Sequence, residues 1–212
     1  ILRPHRRLVV LTTLTFSRLV PRLFHRSVFL FLWLSAVSYC GAQPVYRHVF
    51  LDGDRLVCVT DGGDTLAFSA RDQGGVTFFD TLNPFKILVF SRPFQKIYYL
   101  DHRLSPLSEA ISLTDLGLGE VICVCASKYG GFWVYDRWRE SLVRFDEQAR
   151  QVTVSEPFPV LGLGEVQPSS IRESGNRLLL FGSGPKVYAF DLFGGFMGEA
   201  VEPQRPGRNL RE

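Results

Sequence analysis

The chain is poor in residues that do chemistry. Its 212 residues include four cysteines, four histidines and one methionine. No CxxC pair or spaced histidine accompanies the cysteines, which argues against a zinc site. No stretch is apolar for long enough to suggest a spanning helix: the best candidate, Ser27 to Tyr39 (SVFLFLWLSAVSY), runs for thirteen residues where about twenty are needed. Asp and Glu are missing from the first 42 positions, which carry six arginines, Arg3, Arg6, Arg7, Arg18, Arg22 and Arg26. Beyond them nothing keeps a helical period for ten residues.

A basic front, a short apolar run and small residues before Gln43 (Cys40-Gly41-Ala42) have the form of a secretory signal, so 1–42 is read as a signal peptide with a basic extension. An uncleaved membrane anchor is the alternative, and lipid attachment at Cys40 is disfavoured by Tyr39. Taking six of the 24 basic residues away leaves 18 against 21 acidic ones, so the basic balance belongs to the signal. No Lys/Arg-rich face remains, and nucleic acid is not expected as a partner. Contact with a membrane is expected only through the signal or a partner. Cys58, Cys123 and Cys125 are left; Cys123 and Cys125 stand two apart in a strand-like run and share a face. Buried thiols are expected, with a bridge from Cys58 to one of them as the alternative.

What the chain does have is repetition. Lys86 to Asp101 reads KILVFSRPFQKIYYLD; forty-five residues on, Gly131 to Asp146 reads GFWVYDRWRESLVRFD; forty-five further, Asn176 to Asp191 reads NRLLLFGSGPKVYAFD. Each is a strand-forming run, a polar turn and a second run ending on Asp, the grammar of a hairpin. The hexapeptide LGLGEV stands at 116–121 and again at 161–166. A period in the forties with several short strands per unit predicts an all-β, propeller-like array of about four four-stranded antiparallel blades. The first unit, VYRHVFL, RLVCVT and TLAFSA, is read as incomplete, and the ring is left either closed by four units or open. Residues 43–200 are taken as this domain and 201–212 as a disordered tail.

The phrases KILVFSRPFQKIYYLDHRLSPLSE and FWVYDRWRESLVRFD resemble secreted propeller-like proteins of Bacteroidetes-type bacteria, over residues 76–195. That group includes the plug component set against the outer-membrane translocon of the type IX secretion system. The resemblance implies a periplasmic or outer-membrane-associated binding protein whose partner is a protein, such as an outer-membrane translocon. It carries no catalytic signature.

Three chemical readings compete with plain structure. Asp101, Asp146 and Asp191 occupy equivalent strand ends and could gather around a cation, but Asp at a strand end ordinarily caps the turn that follows. The glycines of LGLGEV lead into a strand, so a connector is expected in place of a phosphate loop. His48 and His102 stand in no recognisable relay, and neither metal, cofactor nor catalytic residue is assigned. Trp138 differs: it falls in the turn RWRE between Arg137 and Arg139, the composition of binding hot spots. With Arg92 and Phe94 in the equivalent turn RPFQ, these residues form the expected contact surface of a non-enzymatic interaction platform. A ligand-binding or hydrolytic propeller with a metal in its channel is the alternative.

Overall fold

The computed structural model describes residues 46–70 and 74–201; the expected signal at 1–42 and the tail from 202 lie outside them. Among the described residues fifteen strands make four antiparallel sheets, each in simple sequential order. Blade one has β1 (Tyr46–Asp52), β2 (Arg55–Thr60) and β3 (Thr65–Ser69). Blade two has β4 (Phe78–Asp80), β5 (Ile87–Ser91), β6 (Lys96–Leu100) and β7 (Ile111–Ser112). Blade three has β8 (Val121–Ala126), β9 (Phe132–Asp136), β10 (Ser141–Phe145) and β11 (Gln151–Val154). Blade four has β12 (Pro168–Ser174), β13 (Arg177–Gly182), β14 (Val187–Asp191) and β15 (Phe196–Ala200). The first unit, expected to be incomplete, contributes three strands among the described residues.

Every side chain of β5 and β9 is buried, because a middle strand of a middle blade has a neighbouring blade on each face. Alternate residues of one strand therefore serve different seams. Leu88 and Phe90 pack with Val124, Val134 and Phe145 between blades two and three, while Ile87 and Val89 turn the other way and join Leu56 and Cys58 of blade one. Trp133 and Tyr135 meet Phe158, Leu178 and Phe190 at the seam with blade four. A period-two strand with both faces apolar is the sequence form of this packing.

The repeat extends to backbone geometry. Leu104, Ala149 and Gly194, spaced by forty-five, all have positive φ and close the turn after the third strand. The Asp ahead of each closes it from the side chain. Asp101 Oδ1 accepts from the amides of Arg103 and Ser105, Asp146 Oδ1 from those of Gln148 and Arg150, and Asp191 Oδ1 from those of Phe193 and Gly195. Equivalence here is equivalence of turns, and these carboxylates cap backbone.

One hairpin departs from the pattern. Ser91 pairs with Lys96 and Asp136 with Ser141, but in blade four Phe181 pairs with Val187, one residue wider. Gln95 and Glu140 close the tighter turns at φ values of 51° and 49°. Their equivalent forty-five residues on is Pro185, whose ring forbids positive φ, so the chain takes a longer route.

Candidate functional site

The turns between second and third strands, 92–95 and 137–140, emerge on the same face as the connectors that carry LGLGEV. Backbone bonds fix this: the Arg137 amide donates to Glu120 O at 2.8 Å, and the Phe158 amide to Glu140 O at 2.8 Å. Gln95 ties its turn to the connector from both ends of its amide. Its Oε1 accepts from the Val121 amide at 2.7 Å and its Nε2 donates to Val121 O at 3.1 Å.

The connectors are anchored by their leucines. Leu118 and Leu163, the second leucine of each LGLGEV, are buried in the seams, and Gly117 and Gly162 take φ values of 74° and 72° to turn the chain there. The carboxylate that follows is then left on the surface. Glu120 Oε1 receives Arg92 at 3.3 Å and Glu120 Oε2 receives Arg137 at 3.4 Å. Exposed pairs of this kind contribute about 0–1 kcal/mol each, so their effect is to position guanidinium groups more than to hold the fold. Arg139 is held differently. It donates to Gly117 O at 2.8 Å and to Gln151 at 3.1 Å, and pairs with the fully buried carboxylate of Asp136 at 3.4 Å. Asp136 also accepts from the amides of Gly119 and Trp138, which pins the RWRE turn to its connector.

Trp138 is 79% exposed, yet its side chain sits close against the backbone at Gly119. A Cβ built at Gly119 would come within 2.4 Å of the indole Cγ and Cδ2, so only glycine admits the ring there. At Gly74, forty-five residues before Gly119, a similar device uses the next turn position: a Cβ there would lie 2.4 Å from Phe94 Cδ2, and Phe94, which aligns with Arg139, is 51% exposed. At Gly164, the third equivalent, the nearest neighbour is Pro159 at 3.6 Å. Blade four has Ser183-Gly184-Pro185 in its turn and no aromatic to seat.

All five expected contact residues thus stand on one face, and Arg92 and Arg137 meet at a shared carboxylate. Glu120, the residue that joins them, and Gly119 and Gly74, the seats of the aromatics, were not among the expected site residues. The repeat held part of the signal, since a connector glycine stands nineteen or twenty residues ahead of a turn aromatic in both units. Beside this cluster a cleft of about 370 Å³ is lined by Arg92, Tyr135, Arg137, Glu140 and Gln167. Burial, then Glu140, pushes the Tyr135 hydroxyl up to about 12, so it remains a proton donor at the cleft wall. The groups gathered here are guanidinium, indole, phenol and carboxylate, suited to recognition of a surface.

The other sequence candidates are placed elsewhere. Cys58 is buried between blades one and two, Cys123 and Cys125 between blades three and four, and all three are free thiols. The alternative bridge from Cys58 is excluded by these separate seams. A cavity of about 440 Å³ lies between β4 and β12 and offers one carboxylate, Asp80. Its Oδ1 and Oδ2 accept from the amides of Leu82 and Ala126. Among the described residues no three His, Cys, Asp or Glu side chains come together as a metal would need.

No protein-family model matches the chain, and no curated protein matches it significantly. Solved structures do resemble it. A streptogramin B lyase superposes with a TM-score of 0.53 at 10% identity, over 73% of this chain and 50% of that one. Virginiamycin B lyase from Staphylococcus aureus with quinupristin gives 0.54 at 9% identity, over 78% and 58%. A protein of unknown function from Bacteroides caccae gives 0.50 at 10%, over 74% and 58%. The chain therefore spans between half and three fifths of the length of these proteins. At a tenth identity the likeness carries the fold, and the described residues form a β-propeller array of four blades.

Proposed function

We propose that this chain is a non-enzymatic protein-interaction platform, exported to the periplasm or outer membrane, and that its contact surface is the face bearing Arg92, Phe94, Arg137, Trp138 and Arg139. The observation that carries the reading is Trp138, exposed to 79% and seated on Gly119 between two arginines. An indole fixed in place loses little freedom when a partner covers it, and it can bury 150–250 Å² at roughly 25 cal/mol per Å². Trp and Arg are the side chains that most often dominate binding energy at interfaces. The basic, apolar character of 1–42 supports export, and the resemblance of 76–195 to secreted propeller-like proteins supports an outer-membrane translocon as the partner.

Affinity capture from native outer membranes tests the proposal. The unaltered chain should retain a stable partner, and the double variant Arg137→Ala, Trp138→Ala should lose it while keeping its melting temperature. Recovery of no stable partner by the unaltered chain would count against the platform reading.

A further inference from the structure

On the face opposite Trp138, turns of blades two and three enclose a cavity of about 390 Å³ at their seam, lined in part by Leu82, Pro84, Lys86, Tyr99, Ala126 and Glu147. Its wall holds a group that the fold leaves unsatisfied. Tyr99 is 6% exposed, and among the described residues its hydroxyl has no hydrogen-bond partner. A buried polar group without a partner is rare in a folded protein, and one that lines a cavity is free to donate to whatever enters.

The surroundings specify the ligand. Lys86 Nζ lies 4.5 Å from the Tyr99 ring centroid and pairs with Glu147 Oε1 at 3.2 Å. Burial, then Glu147 and Asp80, raise the Tyr99 hydroxyl far above the ordinary phenol value, so it stays protonated and acts as a donor. The oxygens of Asp80 already accept from the Leu82 and Ala126 amides. Three charged side chains line the cavity: Lys128 is turned to Gly175 O and Asn176 Oδ1, and Lys86 and Glu147 pair with each other, so an anion entering here would face Glu147 and a cation would face Lys86. Gly130 keeps the Glu147 turn close, since a Cβ there would lie 2.6 Å from Glu147 Cγ. What fits is a neutral group with an acceptor oxygen beside an N–H donor.

We propose that this cavity binds a neutral carboxamide, its oxygen accepting from Tyr99 Oη and its N–H donating to the Glu147 carboxylate. The amide belongs either to a free small molecule or to a peptide, and the two sources can be told apart. Acetamide and N-acetylglutamine amide are titrated separately into the full chain, with acetate and methylammonium as charged counterparts, and the Tyr99 ring resonances are followed by NMR. Both amides should give saturable shifts below roughly 100 mM, a range reasonable for ligands of so few atoms. Tighter binding of the glutamine derivative would assign a peptide source, and equal binding a small molecule. Tyr99→Phe should weaken the amides about tenfold or more, because a site built to donate to an oxygen loses most when the donor goes. Its melting temperature should not fall, since the deleted hydroxyl has no partner to lose. Glu147→Gln, on an exposed turn, should weaken them severalfold. The proposal is overturned by an unchanged affinity in Tyr99→Phe, by equal binding of acetate or methylammonium, or by no saturable shift.

Discussion

Replacing Glu173 by leucine should unfasten blade four from blade three. Glu173, 8% exposed on β12, reaches across the seam with both oxygens. Its Oε1 accepts from Trp133 Nε1 at 2.9 Å, where Trp133 is fully buried, and its Oε2 accepts from the Lys128 amide at 3.0 Å. Leucine offers no acceptor, so two donors of blade three lose their partner at once. Each buried donor left unmade costs about 1–3 kcal/mol, giving about 2–6 kcal/mol in sum. Relief of the buried carboxylate's own desolvation offsets roughly 1–2 kcal/mol of that. The expected net loss is about 1–4 kcal/mol, a sizeable part of the 5–15 kcal/mol typical of a whole domain. Urea unfolding followed by tryptophan fluorescence reads this directly. In a Trp133→Phe background the indole donor is already gone, so Glu173→Leu should cost less, with a coupling of about 1–3 kcal/mol between the two sites. A loss below about 0.5 kcal/mol, or sites that simply add, would refute the latch.

Other features predict equally definite outcomes. Gly131 has a φ of 76°, and a Cβ there would fall 2.0 Å from Phe145 O, so Gly131→Ala should cost about 2–4 kcal/mol in denaturant unfolding. The Arg150 amide above all, with the Arg150 side chain and the Gln148 amide, holds the Asp146 carboxyl below its usual value. A depressed carboxyl contributes stability in full above the unfolded value, about 4, and loses it as pH falls through the folded one. Melting temperatures of the native chain and Asp146→Asn should therefore differ at pH 6 and converge toward pH 2.5. Burial raises all three described thiols, Cys123 to about 12 and Cys125 well above the ordinary value. In a Cys40→Ser variant none should react with a thiol reagent until the protein is unfolded, and prompt reaction of any one would contradict the seam packing.

How much of this was legible beforehand follows from what repetition encodes. Hairpins, connectors and Asp caps all recur at forty-five residues, and a backbone that repeats must reuse the same turn chemistry, so RLVCVT, VICVCA, FWVYD and RLLLFG are strands with the bounds their residues suggest. Connections that differ between units were hidden. Glu173 latches through Trp133 because β12 of blade four lies beside β8 of blade three, a neighbour relation that no single strand displays. In the run KIYYL nothing sets Tyr99 apart from a core aromatic, and only the packing of two blades shows that its hydroxyl finds no partner among the described residues. At the interaction face the turn composition drew attention to Trp138 and Arg137, whereas Glu120 resembled any connector carboxylate until Arg92 and Arg137 converged on it.

A photoreactive amino acid placed at position 138, and for comparison at Phe193, which is 83% exposed in the turn closing the β14–β15 hairpin on the other face, tests the interaction surface most directly. A single defined crosslinked protein is expected from position 138 in native outer membranes, lost when Arg92 and Arg137 are both changed to alanine, and none from position 193. Equal crosslinking from both positions, or a product indifferent to the two arginines, would contradict it.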